Sequence, residues 1–167
     1  MKIVAGLGSI DEYIPYVLAG ADELFCGYVP YNWTKKYGTV LPLNRREVLA
    51  YNVHLGSFGE LEILSAMIRK YRKPVHIAMN SLYYIPEQYE EIADIVKQCM
   101  KIGFDSFILA DPALILYLRQ KGISCKIHLS GEAGEMNREA IKVFREMGIG
   151  RIIFHRKNTV ASMRQMI

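Results

Sequence analysis

The sequence predicts an α/β protein built from parallel (β/α) units. Three observations predict it. Six short apolar runs recur along the chain: KIVAGLG (2–8), ELFCGY (23–28), PVHIAMN (74–80), SFILAD (106–111), CKIHLS (125–130) and RIIFHR (151–156). Amphipathic helical patterns separate most of them, the signature of crossover connections between parallel strands. Glycine exits in GADEL (20–24), GFDSF (103–107) and GIGRI (148–152) each stand just before a strand, where a left-handed helix cap belongs. A closed parallel barrel takes eight units and about 250 residues. Six units in 167 residues are therefore read as an incomplete TIM-type barrel of about six strands. The favoured organisation is a single (β/α) domain over 1–167, the N-terminal part of a longer barrel. A complete open α/β sheet is the competing one.

The elements follow in order. Ser9 and Glu12 have capping-box spacing for the first helix, although Pro15 falls inside it and disfavours a clean start. Residues 29–58 then break the rhythm as a long inserted loop, holding the only tryptophan, Trp33, beside Lys35, Lys36, Arg45 and Arg46. A helix is expected near 59–72. Pro86 marks the first turn of the next, with Glu87, Glu90 and Glu91 near its positive end. Tyr89, Ile92, Ala93, Val96 and Met100 share one face of it, and Gly103 closes it. Asp111-Pro112 is an N-cap and first-turn pair for a short helix stopped by Gly122. Asn137 caps a further helix with the stripe Ala140, Ile141, Phe144 and Met147, ending at Gly148.

Composition narrows the class. Half the residues are apolar, 23% are charged and the net charge is +4, without a Lys/Arg block. This describes an ordinary globular domain and does not by itself argue for nucleic acid. No run approaches the ~20 apolar residues of a membrane span, and the N-terminus reads as a strand, so the expected location is cytoplasmic. Cys26, Cys99 and Cys125 lie far apart and read as buried reduced thiols. Two sheet edges left open by an unfinished barrel lead to the expectation of a homo-oligomer.

Ligands of parallel (β/α) folds bind outside the carboxyl ends of the strands. The residues at those ends are Cys26 and Tyr28, Asn80, Asp111, Ser130 and Glu132, and His155 and Arg156. Helix capping accounts for Asp111. His76 and His128 fall within strands and read as structural. A neutral His155 beside a carboxylate suits proton transfer, and Arg156 suits a carboxylate or phosphate. Glu132, between two glycines, has reach. The candidates are thus Glu132, His155 and Arg156 as catalytic groups, with Asn80, Ser130, Arg45, Arg46 and Tyr28 as substrate contacts. The aromatic-basic loop YVPYNWTKKYG has the composition to stack bases, or to cover one end of the core. No HExxH, phosphate-cradling GxxxxGK[ST] or GxSxG is present, and no metal set is assigned.

GLGS (6–9), GADELFCGY (20–28), NRR (44–46), FGELEIL (58–64), IAMNSL (77–82), HLSGEAGEMN (128–137) and GIGRIIFHRK (148–157), in this order, resemble the N-terminal half of the collagenase-like proteins, family 32 of the peptidases of unknown catalytic type. The resemblance implies a peptidase-like TIM-barrel enzyme domain hydrolysing peptides in a cleft at the strand ends, with a peptide or small molecule as its partner. It also implies an alternative: the substrate-binding part of an iron–sulfur-dependent, oxygen-independent protein that hydroxylates RNA or a quinone precursor. A non-catalytic binding or assembly module is the third reading. Longer relatives carry cluster-binding cysteines in a further segment. Cys26, Cys99 and Cys125 do not match those positions, so no cofactor is expected in this chain. The sequence departs from the family at the longer 29–58 loop and at Lys157-Asn158, where relatives place a glutamate.

Overall fold

The computed structural model describes residues 1–38, 41–45, 47–48 and 51–166. Its main sheet has six parallel strands. They are β1 (Val4–Gly6), β2 (Glu23–Gly27), β5 (Val75–Met79), β6 (Ser106–Leu109), β7 (Lys126–Leu129) and β8 (Arg151–Ile152), hydrogen-bonded in that order. β3 (Glu47–Val48) and β4 (Tyr51–Asn52) pair antiparallel as a separate ribbon. The helices are α1 (Tyr13–Leu18), α2 (Tyr31–Tyr37), α3 (Phe58–Tyr71), α4 (Pro86–Lys101), α5 (Pro112–Gln120), α6 (Arg138–Glu146) and α7 (Val160–Met166). The curled sheet with its alternating helices is the incomplete TIM-like barrel that the sequence predicts.

Strand parity divides the sheet into two faces. Leu24, Cys26, Ile77, Met79, Phe107, Leu109, Ile127 and Leu129 point outward and are fully buried in one core with the helices. That core is completed by Leu61 and Leu64 of α3, Ile92, Val96 and Cys99 of α4, and Leu114 and Leu118 of α5. The opposite parity, including Phe25, His76, Ala78, Ile108, His128 and Arg151, lines the concave side. Register sets these residues together: Phe25 stands opposite His76, Ala78 opposite Ile108, Ile108 opposite His128, and His128 opposite Arg151.

The local signals mostly operate as expected. Pro86 and Pro112 open α4 and α5, and the Asp111 carboxylate accepts the Ala113 amide at 2.8 Å. The same carboxylate accepts from the Tyr84 amide and the Tyr89 hydroxyl, each at 3.2 Å, so Asp111 is a buried joint between two connections. Asn137 caps α6 by accepting from the Ala140 amide at 2.9 Å. Ser57 and Glu60 form the reciprocal capping box of α3. The expected box at Ser9 is absent: its side chain makes no cap bond, and Glu12 instead accepts the Gly8 amide at 2.5 Å. A turn of 3-10 helix, Ile10–Glu12, precedes α1, and Pro15 sits early in that short helix.

The 29–58 segment folds on itself. It contains α2, the β3–β4 ribbon and a parallel bridge from Tyr28 to Leu55. Trp33 is wholly buried, its indole N–H donating to the Leu41 carbonyl at 3.0 Å, with Tyr37 packed at 4.6 Å between ring centroids. Of the two readings of this aromatic-basic loop, the ring follows the core one: Trp33 is buried and does not stack a ligand.

Candidate functional site

β7 runs out at Leu129, and Ser130 turns the chain. Its hydroxyl accepts the Glu132 amide at 3.2 Å, capping the 3-10 turn Gly131–Ala133. Gly131 suits this place, because a β-carbon would lie tightly, 3.0 Å from the Phe154 carbonyl oxygen and 3.2 Å from that of Ile153. The turn after β7 therefore meets the extension of β8 backbone to backbone. The two segments put Glu132, His155 and Arg156 on the lining of one cleft.

From β5, Asn80 faces the same space. Its side-chain oxygen accepts the Arg45 amide at 3.0 Å, pinning the Asn44-Arg45 stretch to the rim. Asn44 below is buried, donates to the Val53 carbonyl at 3.2 Å, and fills the volume a β-carbon on Gly27 would need. The Arg45 guanidinium then stands 4.0 Å from the Glu132 carboxylate, both half exposed, a loose pair that water screens.

Together these elements enclose a cleft of about 440 Å³. Its walls are apolar: Val4, Phe25, Ala78, Ile108, Ile153 and Phe154. Asn80, Ser130, Glu132, His155 and Arg156 stand around its mouth, so five of the eight candidate residues line one space. Arg45 joins them through Asn80 and Glu132. Tyr28 does not. Its parity turns it outward, where it is buried against the helices and lines a different hollow with Glu91 of α4; burial raises its hydroxyl pKa to about 12. Arg46 lies outside the described residues.

Sequence reasoning missed the floor. Glu23, at the start of β2, is buried and accepts from Arg151 of β8 at 2.5 and 3.2 Å, and from Lys2 at 2.7 Å. Its second oxygen also lies 3.1 Å from His76 Nε2, whose Nδ1 lies 2.5 Å from Ser106 Oγ. Arg151 holds the Glu23 carboxyl far below the usual carboxylate range, working against its burial. The His128 ring stands 4.5 Å from that of His76. Burial first, then His76 and Arg151, lower the His128 pKa to about 4, so it is neutral near pH 7. Its buried Nδ1 has no partner among the described residues. The missed signal was parity: Glu23 and Arg151 each begin a strand in phase with an inward residue.

The Ser106, His76 and Glu23 row has the composition of a hydrolytic triad, but Ser106 is buried and does not line the cleft, and Glu23 is saturated by cations. The three thiols do not form a ligand set either. Cys26 faces outward from β2, Cys99 lies on α4 with its pKa raised to about 12 by burial, and Cys125 precedes β7, also raised by burial. Thiolates are disfavoured at all the sites where a shift is resolved, and no cluster of three His, Cys, Asp or Glu suited to a metal occurs among the described residues. These residues do not fit an iron–sulfur cluster. No helix is long and apolar enough to cross a membrane, among the described residues.

A curled parallel sheet with one polar-mouthed cleft at its carboxyl ends is a ligand-holding (β/α) scaffold. The chain belongs to peptidase family U32, whose family model matches residues 8–167. A solved structure of a U32 peptidase shares the fold, with a TM-score of 0.66 and 14% identity over all of this chain and 66% of that one. The chain is 24% identical over 147 residues to tRNA hydroxylation protein P of Escherichia coli (strain K12), covering 88% of this chain and 29% of that protein. It is 22% identical over 165 residues to tRNA hydroxylation protein P1 of Bacillus subtilis (strain 168), covering 99% and 35%. The chain thus spans about a third of these relatives. Their names correct the peptide-hydrolase reading that the family's own name suggests: the curated relatives are RNA-hydroxylation proteins, and the peptidase, protease and hydrolase descriptions fall with it.

Proposed function

We propose that this chain forms the substrate-holding part of an RNA-hydroxylating protein, with the cleft receiving one base of a tRNA. The observation that carries this is the convergence of Asn80, Ser130, Glu132, His155 and Arg156 on one apolar-walled cleft, in a chain whose relatives are named for tRNA hydroxylation. The chemistry is suited to the ligand. Phe25, Ile108 and Phe154 offer flat apolar walls to a heteroaromatic ring, while Asn80 and Ser130 offer polar contacts to its edge. Arg156 and the neighbouring exposed Lys157 supply charge for phosphates at the mouth. Glu132 and His155 face the same opening and are the groups placed to hold or move a proton on the bound base.

The cytoplasm, where tRNA and reduced thiols are found together, is the location this reading assigns. Binding of fluorescein-labelled bulk tRNA to the 167-residue chain, followed by anisotropy, tests it. Saturable binding tighter than about 100 µM is expected, weakening steeply with salt. Arg156→Met is expected to weaken it several-fold and to lower the salt slope by about one. Absence of saturable binding at low salt would overturn the reading.

A further inference from the structure

Beside the cleft lies a second hollow of about 300 Å³, bordered by Leu41, Pro42, Arg45, Leu82, Tyr83 and Tyr84. We infer that it is a second nucleotide subsite, in which Tyr83 stacks the base adjoining the one in the cleft and Arg45 holds the phosphate between them. The inference rests on the tRNA reading above and adds to it the register of a single strand along the rim.

The first ground is the display of Tyr83. It is 66% exposed and Leu82 is 45% exposed, an unusual pair to leave in water on the connection after β5. The backbone that carries them is held on both sides. The Ser81 hydroxyl donates to the Pro42 carbonyl, the Tyr84 hydroxyl donates to the Leu43 carbonyl at 2.8 Å, and the Tyr84 amide donates to Asp111 at 3.2 Å. Ser81 and Tyr84 are buried. Two apolar side chains are thus presented outward from a fixed frame, which lowers the ordering cost of stacking on them.

Continuity is the second ground. Arg45 borders the hollow, its amide is bound to Asn80 of the cleft, and its guanidinium stands 4.0 Å from Glu132 at the cleft mouth. A cation therefore sits between two recesses, one apolar-walled and one edged by an exposed aromatic ring. An aromatic platform joined to a backbone-reading cation is the usual chemistry of single-stranded nucleic-acid binding. Among the described residues the guanidinium of Arg45 pairs only with Glu132, loosely and half exposed, which leaves it able to meet a phosphate.

The test uses a fluorescein-labelled heptameric oligouridylate with the 167-residue chain. Tyr83→Ala is expected to weaken heptamer binding by about 5- to 100-fold, and Tyr83→Phe to restore most of it, because a ring face is what stacks. Arg45→Met is expected to weaken binding and reduce the salt slope by about one. Thermal melts unchanged by Tyr83→Ala, as its exposure predicts, exclude misfolding. If Tyr83→Ala binds the heptamer as the parent does while Arg156→Met loses affinity, the subsite is refuted and the cleft reading stands. If the parent chain binds neither tRNA nor the heptamer, both are refuted. If sedimentation shows that Tyr83→Ala dissolves a dimer with heptamer binding intact, the face belongs to a second copy of the chain and the subsite is refuted.

Discussion

Arg151 of β8 grips Glu23 of β2 with both terminal guanidinium nitrogens, at 2.5 and 3.2 Å, across 128 positions of sequence. The two strands are the second and the last of the sheet order, so this pair spans the concave side and ties an open arc together. Glu23 is buried while Arg151 is 41% exposed at its side chain, so one charge is largely desolvated and depends on the other.

Removing one partner is therefore expected to hurt more than removing both. Arg151→Met should lower unfolding stability by about 2–4 kcal/mol, since the buried Glu23 charge keeps only Lys2 and His76. A Glu23→Leu, Arg151→Met double variant should recover part of that loss. Urea denaturation of Arg151→Met, Glu23→Leu and the double variant beside the parent checks it; a double loss equal to the sum of the two single losses would show that the pair is not coupled.

Acid is expected to destabilise the fold in two stages. The His128 and His76 pKa values are lowered in the folded state, mainly by burial, so the unfolded chain binds their protons first. The His128 contribution is complete above about pH 6.5 and declines as pH falls toward 4, and that of His76 is lost in the same direction. The Glu23 pKa is also lowered, by Arg151, so its contribution is lost at lower pH still, below the ordinary carboxylate range. Thermal melts from pH 8 to 3 read both stages, and His128→Gln should flatten the upper one.

Gly27→Ala is expected to cost about 1–3 kcal/mol, because the new methyl would occupy the place of the Asn44 side-chain amide. Displacing Asn44 would loosen Arg45 and the cleft mouth with it. Nucleic-acid affinity should therefore fall along with stability. A variant that lost stability but kept full affinity would separate the two.

The open edges β1 and β8 are expected to support association, as the sequence reading anticipates. Ile3 and Val4 at one edge, and Ile153 beside the other, are 55%, 50% and 39% exposed. Light scattering should show mass rising with concentration, and Val4→Lys should suppress the rise. A concentration-independent monomer would refute this.

Much of the scaffold was legible because its signals are local. Asp111 and Asn137 start helices by accepting backbone N–H groups within three residues, Pro86 and Pro112 by a fixed φ at the first turn, and Gly103, Gly122 and Gly148 adopt φ of 107°, 70° and 79° just past helix ends. The convergence of Asn80, Ser130, Glu132, His155 and Arg156 was legible too, since parallel strands send their carboxyl ends the same way. Tyr28 was misplaced because one residue of phase reverses the face of a strand, and an apolar run buried on both sides does not reveal its phase.

By itself, then, the sequence determined the repeating units, the helix ends and the end of the sheet where a ligand belongs, all of which depend on interactions within a few residues or on strand direction. Tertiary structure alone decided that Trp33 is core and Tyr83 is displayed, that Glu23 meets Arg151, and that Gly131 lets the turn after β7 touch the extension of β8. Those outcomes depend on the curl and register of the whole sheet. Composition carries no record of which distant side chains that curl will bring face to face.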